Sequence, residues 1–153
     1  MIRILFVCLG NICRSPMAEY VMKELLRRGG VCGVEVASAA TSREEEGNDV
    51  YPPARRKLEE QGVPCPPRRA AQITRADYTR YDVIVGMEPR NLEAMRRMFG
   101  GDPAGKLRLL LGYAGEQRGI ADPWYTGDFD AAYRDVVQGC EALLGRLQEG
   151  RPL

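Results

Sequence analysis

The chain opens on Ile2–Val7, a nearly unbroken apolar run rich in β-formers, which predicts a strand buried on both faces. The period then changes. Over Ser15–Arg28 the apolar positions Met17, Tyr20, Val21 and Leu25 fall at helical spacing. Ser15 suits the N-cap, Pro16 the first helical position and Glu19 the acid of the first turn, and Gly29-Gly30 stops the helix. Val34–Ala40 predicts a second strand, and Thr41–Tyr51 a polar loop with the acidic run Glu44-Glu45-Glu46. Pro52–Gln61 predicts a helix closed by Gly62, and Pro64–Arg69 a proline-rich connection. Thr74–Arg80 fits a short helix, Asp82–Met87 a third strand, Pro89–Phe99 a helix and Lys106–Leu111 a fourth strand. A loop over Gly112–Gly127 leads to a final helix, Asp128–Gln148. Its apolar residues, from Phe129 through Val136 and Cys140 to Leu147, form one long stripe.

Strands alternating with helices predict an α/β fold: one domain, a four-stranded parallel sheet and helices on both faces. No internal repeat or linker breaks the 153 residues, a length that suits one core. In open sheets of this kind ligands sit beyond the carboxyl ends of the strands, where strand order reverses. The loop after the first strand, "VCLGNICRSP", is therefore the place to look for chemistry.

Composition narrows what that chemistry is. The formal net charge of +1 gives no case for nucleic-acid binding. No apolar run approaches the roughly 20 residues of a membrane helix, and the amino end lacks a signal-peptide pattern. The reading is a cytoplasmic protein. Five cysteines, an odd number without a CxxC pair, argue against both a disulfide framework and a structural zinc site. The chain has no histidine, which removes the Ser-His-Asp and Cys-His arrangements. No metal and no cofactor is called for. A cysteine nucleophile here needs an activator other than imidazole.

The loop offers one. Between strand end and helix start it presents backbone N–H groups, to which the helix adds its unpaired amides and positive dipole end. Arg14 supplies a planar fork for two oxygens of a phosphate. Gly10 permits a turn that a side chain would block, and Asn11 tolerates the left-handed region and can brace the loop. The same cradle that binds a phosphate favours a thiolate at Cys8, and the Ser15 hydroxyl can stabilise the sulfur as a leaving group. The loop is not a nucleotide P-loop, because it lacks the GKS/GKT ending. Phosphoryl transfer to sulfur also needs an acid for the leaving oxygen. Without histidine the candidate is Asp122 in "ADPWYTGD", where Trp124 and Tyr125 offer a wall for an aryl substrate.

These residues give the sequence its resemblance to the low-molecular-weight protein tyrosine phosphatase family. The likeness rests on "VCLGNICRSPMAE" and "DPWY", supported by "SAAT", "QIT" and "MEPRNL" between them, and extends over essentially the whole chain. It implies metal-free, two-step hydrolysis of protein phosphotyrosine and small aryl phosphates, with inorganic phosphate as product. It implies Cys8 as nucleophile, Arg14 and the amides of Leu9, Gly10, Asn11, Ile12, Cys13, Arg14 and Ser15 as phosphate ligands, and Asp122 as general acid and base. Asn11, Ser15 and Ser38 would support the loop, and Leu9, Glu44, Trp124 and Tyr125 would form the substrate wall. Cys13 corresponds to a second loop cysteine that can form a reversible disulfide with Cys8. The partners implied are phosphotyrosine proteins or peptides, with no nucleic acid and no membrane, acting on a monomer or weak dimer.

Four positions depart from the family pattern. Glu44 stands where an aromatic is usual, Glu88 where aspartate is, Tyr51-Pro52-Pro53 where Asp-Pro-Arg is, and Ala71 where an arginine is. None is expected to touch the catalytic loop, so they bear on substrate preference rather than on the reaction. Two other activities stay open. A phosphoarginine phosphatase shares the loop, but its branch tends to have threonine where this chain has Ile12. A thiol-dependent arsenate reductase also shares it, but needs relay cysteines on a mobile segment. Cys32 and Cys65 stand alone, and Cys140 lies on the apolar stripe of the last helix.

Overall fold

A computed structural model describes all residues, 1–153. Four parallel strands form one sheet: β1 (Ile2–Cys8), β2 (Val34–Ala40), β3 (Val83–Gly86) and β4 (Leu107–Leu109), in the spatial order β2-β1-β3-β4. Six α-helices surround it: α1 (Arg14–Arg28), α2 (Pro52–Glu60), α3 (Arg75–Arg80), α4 (Pro89–Phe99), α5 (Pro123–Thr126) and α6 (Phe129–Glu149). None is long and apolar enough to cross a membrane.

Side-chain alternation along β1 divides the interior in two. Ile4, Phe6 and Cys8 point into the larger core, with α1 and α6, and Leu5 and Val7 into a smaller one with Ile84 and Met95. From Ile4 to Cys8 β1 is thus covered on both faces, as its nearly unbroken apolar run requires. It lies between β2 and β3, so strand order reverses at its carboxyl end and the loop that follows opens at the switch point.

Three differences from the sequence reading go beyond a one-residue shift at an element's end. The run expected as a strand over Lys106–Leu111 ends at Leu109, and Leu110–Ala114 winds into a 3₁₀ turn. Leu110 and Leu111 are both fully buried in the larger core, whereas a strand would send them to opposite faces. Leu110 fits because α6 carries Gly139 opposite it; a Cβ there would lie 2.4 Å from Leu110 Cγ. The loop Gly112–Gly127 contains α5, capped by Asp122, whose side chain accepts from Trp124 N–H. At the start of α1 the N-cap is Cys13, not Ser15, and no acid sits in the first turn. Ser15 and Glu19 are inside the helix, turned toward the cradle. Cys140 is buried in the core, as its place on the stripe predicts.

Candidate active site

Between β1 and α1 the backbone turns through Asn11, at φ 59° the one non-glycine residue with positive φ. Asparagine tolerates that region well. Gly10 is not left-handed; what it allows is close approach, since a Cβ would lie 3.3 Å from Glu45 Cγ. The loop carbonyls are claimed from outside. Cys8 O accepts from Thr41 N–H at 2.9 Å, Leu9 O from Ser42 N–H at 3.0 Å, and Ile12 O from Tyr51 N–H at 2.9 Å. With the carbonyls drawn outward, the N–H groups of Leu9, Gly10, Ile12, Cys13, Arg14 and Ser15 donate to no other backbone group. This is an anion nest extended by a helix N-terminus.

Cys8 forms its floor. Its Sγ accepts from Asn11 N–H at 3.2 Å and lies 2.9 Å from Ser15 Oγ. Asn11 Nδ2 donates to Ser15 Oγ at 2.8 Å and to Ser38 Oγ at 3.0 Å. Ser15 Oγ thus accepts from Asn11, and its single hydrogen has two acceptors within reach, Cys8 Sγ and, at 3.4 Å, Ala39 O. Ser38 Oγ donates in turn to Glu19 Oε1 at 2.5 Å. Asn11 Oδ1 accepts from Arg68 Nη2 at 2.9 Å and from Ala71 N–H at 3.3 Å. The side chains of Asn11, Ser15 and Ser38 thus lie beneath the cradle.

The Arg14 side chain is 2% exposed. Nη1 donates to Glu88 Oε2 at 2.7 Å and to Ile120 O at 2.8 Å, and Nη2 to Asp122 Oδ2 at 3.2 Å. Burial opposes its charge, but Cys8, Asp122 and Glu88 outweigh burial and hold its pKa above the ordinary value. The other oxygen of Asp122 accepts from Trp124 N–H at 3.0 Å, so the carboxylate is fixed at both ends. Burial, then the proximity of Cys8, pushes the Cys13 thiol well up and keeps it protonated.

The cavity over Cys8 has a volume of about 150 Å³ and is lined by Leu9, Gly10, Ile12, Cys13, Arg14, Glu44, Glu45, Asp122, Trp124 and Tyr125. It brings together the residues expected as nucleophile, arginine, acid and wall. Trp124 and Tyr125 are 49% and 75% exposed and stand at the rim. No group of three or more Cys, Asp or Glu side chains is placed to hold a metal ion.

The expectation that the four departures stand clear of the loop fails for three of them. Glu88 binds Arg14, Tyr51 and Ala71 bond the loop through their backbone N–H groups, and Glu44 lines the cavity. Glu19 and Arg68 are not expected at the site from the sequence. Only Glu19 carried a signal: it lies one helical turn beyond Ser15, on the same face.

A buried thiol under an amide nest, with an arginine and a carboxylate at its mouth, defines a site for a tetrahedral oxyanion. The model of the low molecular weight phosphotyrosine protein phosphatase family matches residues 3–152, and the chain belongs to that family of protein tyrosine phosphatases, which are hydrolases. It is 33% identical over 156 residues to the low molecular weight protein-tyrosine-phosphatase YfkJ of Bacillus subtilis, covering all of both chains. The crystal structure of YfkJ superposes with a TM-score of 0.94 at 32% identity, covering 99% of this chain and 98% of that one. Low molecular weight phosphotyrosine protein phosphatase 1 of Drosophila melanogaster is 37% identical over 153 residues, covering 96% of this chain and 98% of its own. A crystal structure described as DARP, drosophila arginine phosphatase, aligns with a TM-score of 0.84 at 30% identity, covering 94% and 96%.

Proposed function

We propose that the protein hydrolyses phosphotyrosine in proteins and peptides, and small aryl phosphates, through a cysteinyl-phosphate. The observation that carries this reading is the Cys8 sulfur beneath unpartnered loop amides, with Asp122 fixed across the cavity by Arg14. The phosphoryl oxygens take the loop N–H groups and the Arg14 fork. Cys8 attacks phosphorus as the thiolate, and the bond to the tyrosyl oxygen breaks. Asp122 delivers its proton to that oxygen, so neutral tyrosine leaves. Asp122, now a carboxylate, takes a proton from water as the water attacks phosphorus and the P–S bond breaks, releasing phosphate. The Ser15 hydroxyl and the Asn11 N–H stabilise the sulfur as it departs. Trp124 and Tyr125 flank the aryl ring.

Cys13 lines the same cavity and is assigned to redox protection: peroxide converts the Cys8 thiolate to a sulfenic acid, and the Cys13 thiol condenses with it, releasing water. Peptide mapping after peroxide treatment tests this. A Cys8–Cys13 disulfide supports it; sulfinic acid at Cys8 beside free Cys13 refutes it.

Similarity to the drosophila arginine phosphatase structure supports a second reading, hydrolysis of phosphoarginine. Ile12 in the cavity lining weighs against it, because it offers no hydroxyl to the attacking water. Parallel assays on phosphotyrosine, phosphoarginine and phosphoserine peptides decide the matter, with Cys8→Ser as control. Preference for phosphotyrosine supports the first reading, and preference for phosphoarginine replaces it with the second.

A further inference from the structure

The acid-bearing helix α5 is four residues long, too short to hold itself in place by its own hydrogen bonds. Arg14 holds its N-cap, Asp122, from the cavity side. On the other side stands Tyr51, outside the cavity lining. Its ring lies 4.6 Å from that of Trp124, centroid to centroid, in a tilted stack, and 6.1 Å from that of Phe129, the first residue of α6. The Tyr51 ring thus touches the helix that follows Asp122 and the start of the next one, with only the turn at Gly127-Asp128 between them.

Tyr51 is itself tied to the phosphate cradle. Its N–H donates to Ile12 O at 2.9 Å, and it precedes Pro52 at the start of α2. Trp124 N–H holds one oxygen of Asp122 at 3.0 Å. A continuous path therefore runs from Ile12 in the loop, through the Tyr51 backbone and ring, to the Trp124 ring and backbone, and so to the Asp122 carboxylate. The Tyr51 hydroxyl makes no hydrogen bond in the structure, so the contact is made by the ring alone.

We infer that Tyr51 is a positioning residue for the general acid: by stacking on Trp124 it sets the place of Asp122 relative to the phosphate cradle. The inference rests on the reading of Asp122 as the acid. It predicts a particular kinetic signature, because misplacing an acid matters only when the leaving oxygen needs a proton. A misplacement of about 1 Å can cost on the order of a hundredfold.

The test compares wild type, Tyr51→Leu, Tyr51→Phe and Asp122→Asn on a phosphotyrosine peptide and on 2,4-dinitrophenyl phosphate, whose leaving group needs no proton. Tyr51→Leu is expected to lose about ten- to a hundredfold in kcat on the peptide and little on the activated ester. Tyr51→Phe keeps the ring and is expected to match wild type. In the double variant with Asp122→Asn, Tyr51→Leu should add no further loss. Trp124 is the single tryptophan, so its fluorescence reports the stack directly, and Tyr51→Leu should shift the emission to the red. Equal losses on both substrates would overturn the inference and leave Tyr51 a purely structural residue. A rise in KM with kcat unchanged would also overturn it and leave Tyr51 a support for the substrate wall. If Asp122→Asn itself shows no dependence on the leaving group, the assignment of the acid fails, a result separate from any effect of Tyr51.

Discussion

Arg14 and Glu88 form an ion pair across the mouth of the cradle, Nη1 to Oε2 at 2.7 Å, with the guanidinium almost wholly buried. Glu88 also caps α4, so the helix that follows β3 aims the arginine that opens α1. Replacing Glu88 with alanine leaves a buried charge with fewer acceptors. The expected cost is about 1–3 kcal/mol in stability, less than for a fully buried pair because Glu88 is partly exposed. In kcat/KM the expected loss is about tenfold or more, because Arg14 is no longer aimed. Thermal melts and steady-state kinetics on the same sample check both, and a folded Glu88→Ala enzyme with wild-type kcat/KM contradicts the role.

Asp122 is held by Arg14 and by Trp124 N–H, and supplies the proton for the leaving group in the proposed mechanism. Asp122→Asn is expected to lose roughly 10²–10⁴-fold in kcat on poor leaving groups. The loss shrinks as the leaving-group pKa falls. A loss that is flat across a series of aryl phosphates excludes Asp122 as the acid.

Of the three consecutive glutamates, Glu46 pairs with Arg43 and Glu45 accepts from Asn48, while Glu44 lines the cavity with its carboxylate unpaired. Phosphopeptides with a basic residue beside the phosphotyrosine are expected to have a higher kcat/KM than matched acidic ones. The difference is roughly two- to fivefold, the scale of an exposed ion pair, and falls with salt. Glu44→Gln should narrow it. Equal kcat/KM for both peptides in the wild-type enzyme sinks this role.

Asp102 is a structural carboxylate remote from the cavity. Burial opposes its charge. Hydrogen bonds from Tyr78 OH at 2.7 Å, Lys106 N–H at 2.8 Å and Leu107 N–H at 3.2 Å outweigh burial and hold its pKa below the ordinary value. A folded-state value below the unfolded one stabilises the fold above about pH 4 and loses that effect as pH falls through the depressed value. Asp102→Asn is therefore expected to melt below wild type at pH 7, with the gap closing toward pH 3. A gap that stays constant with pH contradicts this.

What was legible in the sequence is what local pattern can encode. β1 reads as a nearly unbroken apolar run because both of its faces are covered from Ile4 onward, and α6 as a stripe because one face packs inward. The cradle reads at once because Cys8 to Ser15 are contiguous and their chemistry depends on one strand, one turn and one helix start. The partners of that cradle come from far away. Glu88 is 74 residues from Arg14 and Arg68 is 57 from Asn11, and no spacing rule reaches that distance. The same holds for Tyr51, which meets Trp124 only because α2 and α6 pack side by side. Ser15 misleads for the opposite reason: next to Pro16 it has the profile of a cap, but its hydroxyl goes to Cys8 and Asn11, and the helix starts one residue earlier.

The central claim is that Cys8 is the nucleophile. Cys8→Ser keeps the amide nest and Arg14 but replaces the thiol with a hydroxyl, a far weaker acid and so a far poorer nucleophile under the same cradle. Turnover on a phosphotyrosine peptide, measured beside equilibrium binding of inorganic phosphate, tests the claim most directly. Turnover should vanish while phosphate binding stays largely intact; residual activity within about tenfold of wild type, less than the usual contribution of a catalytic group, would contradict it.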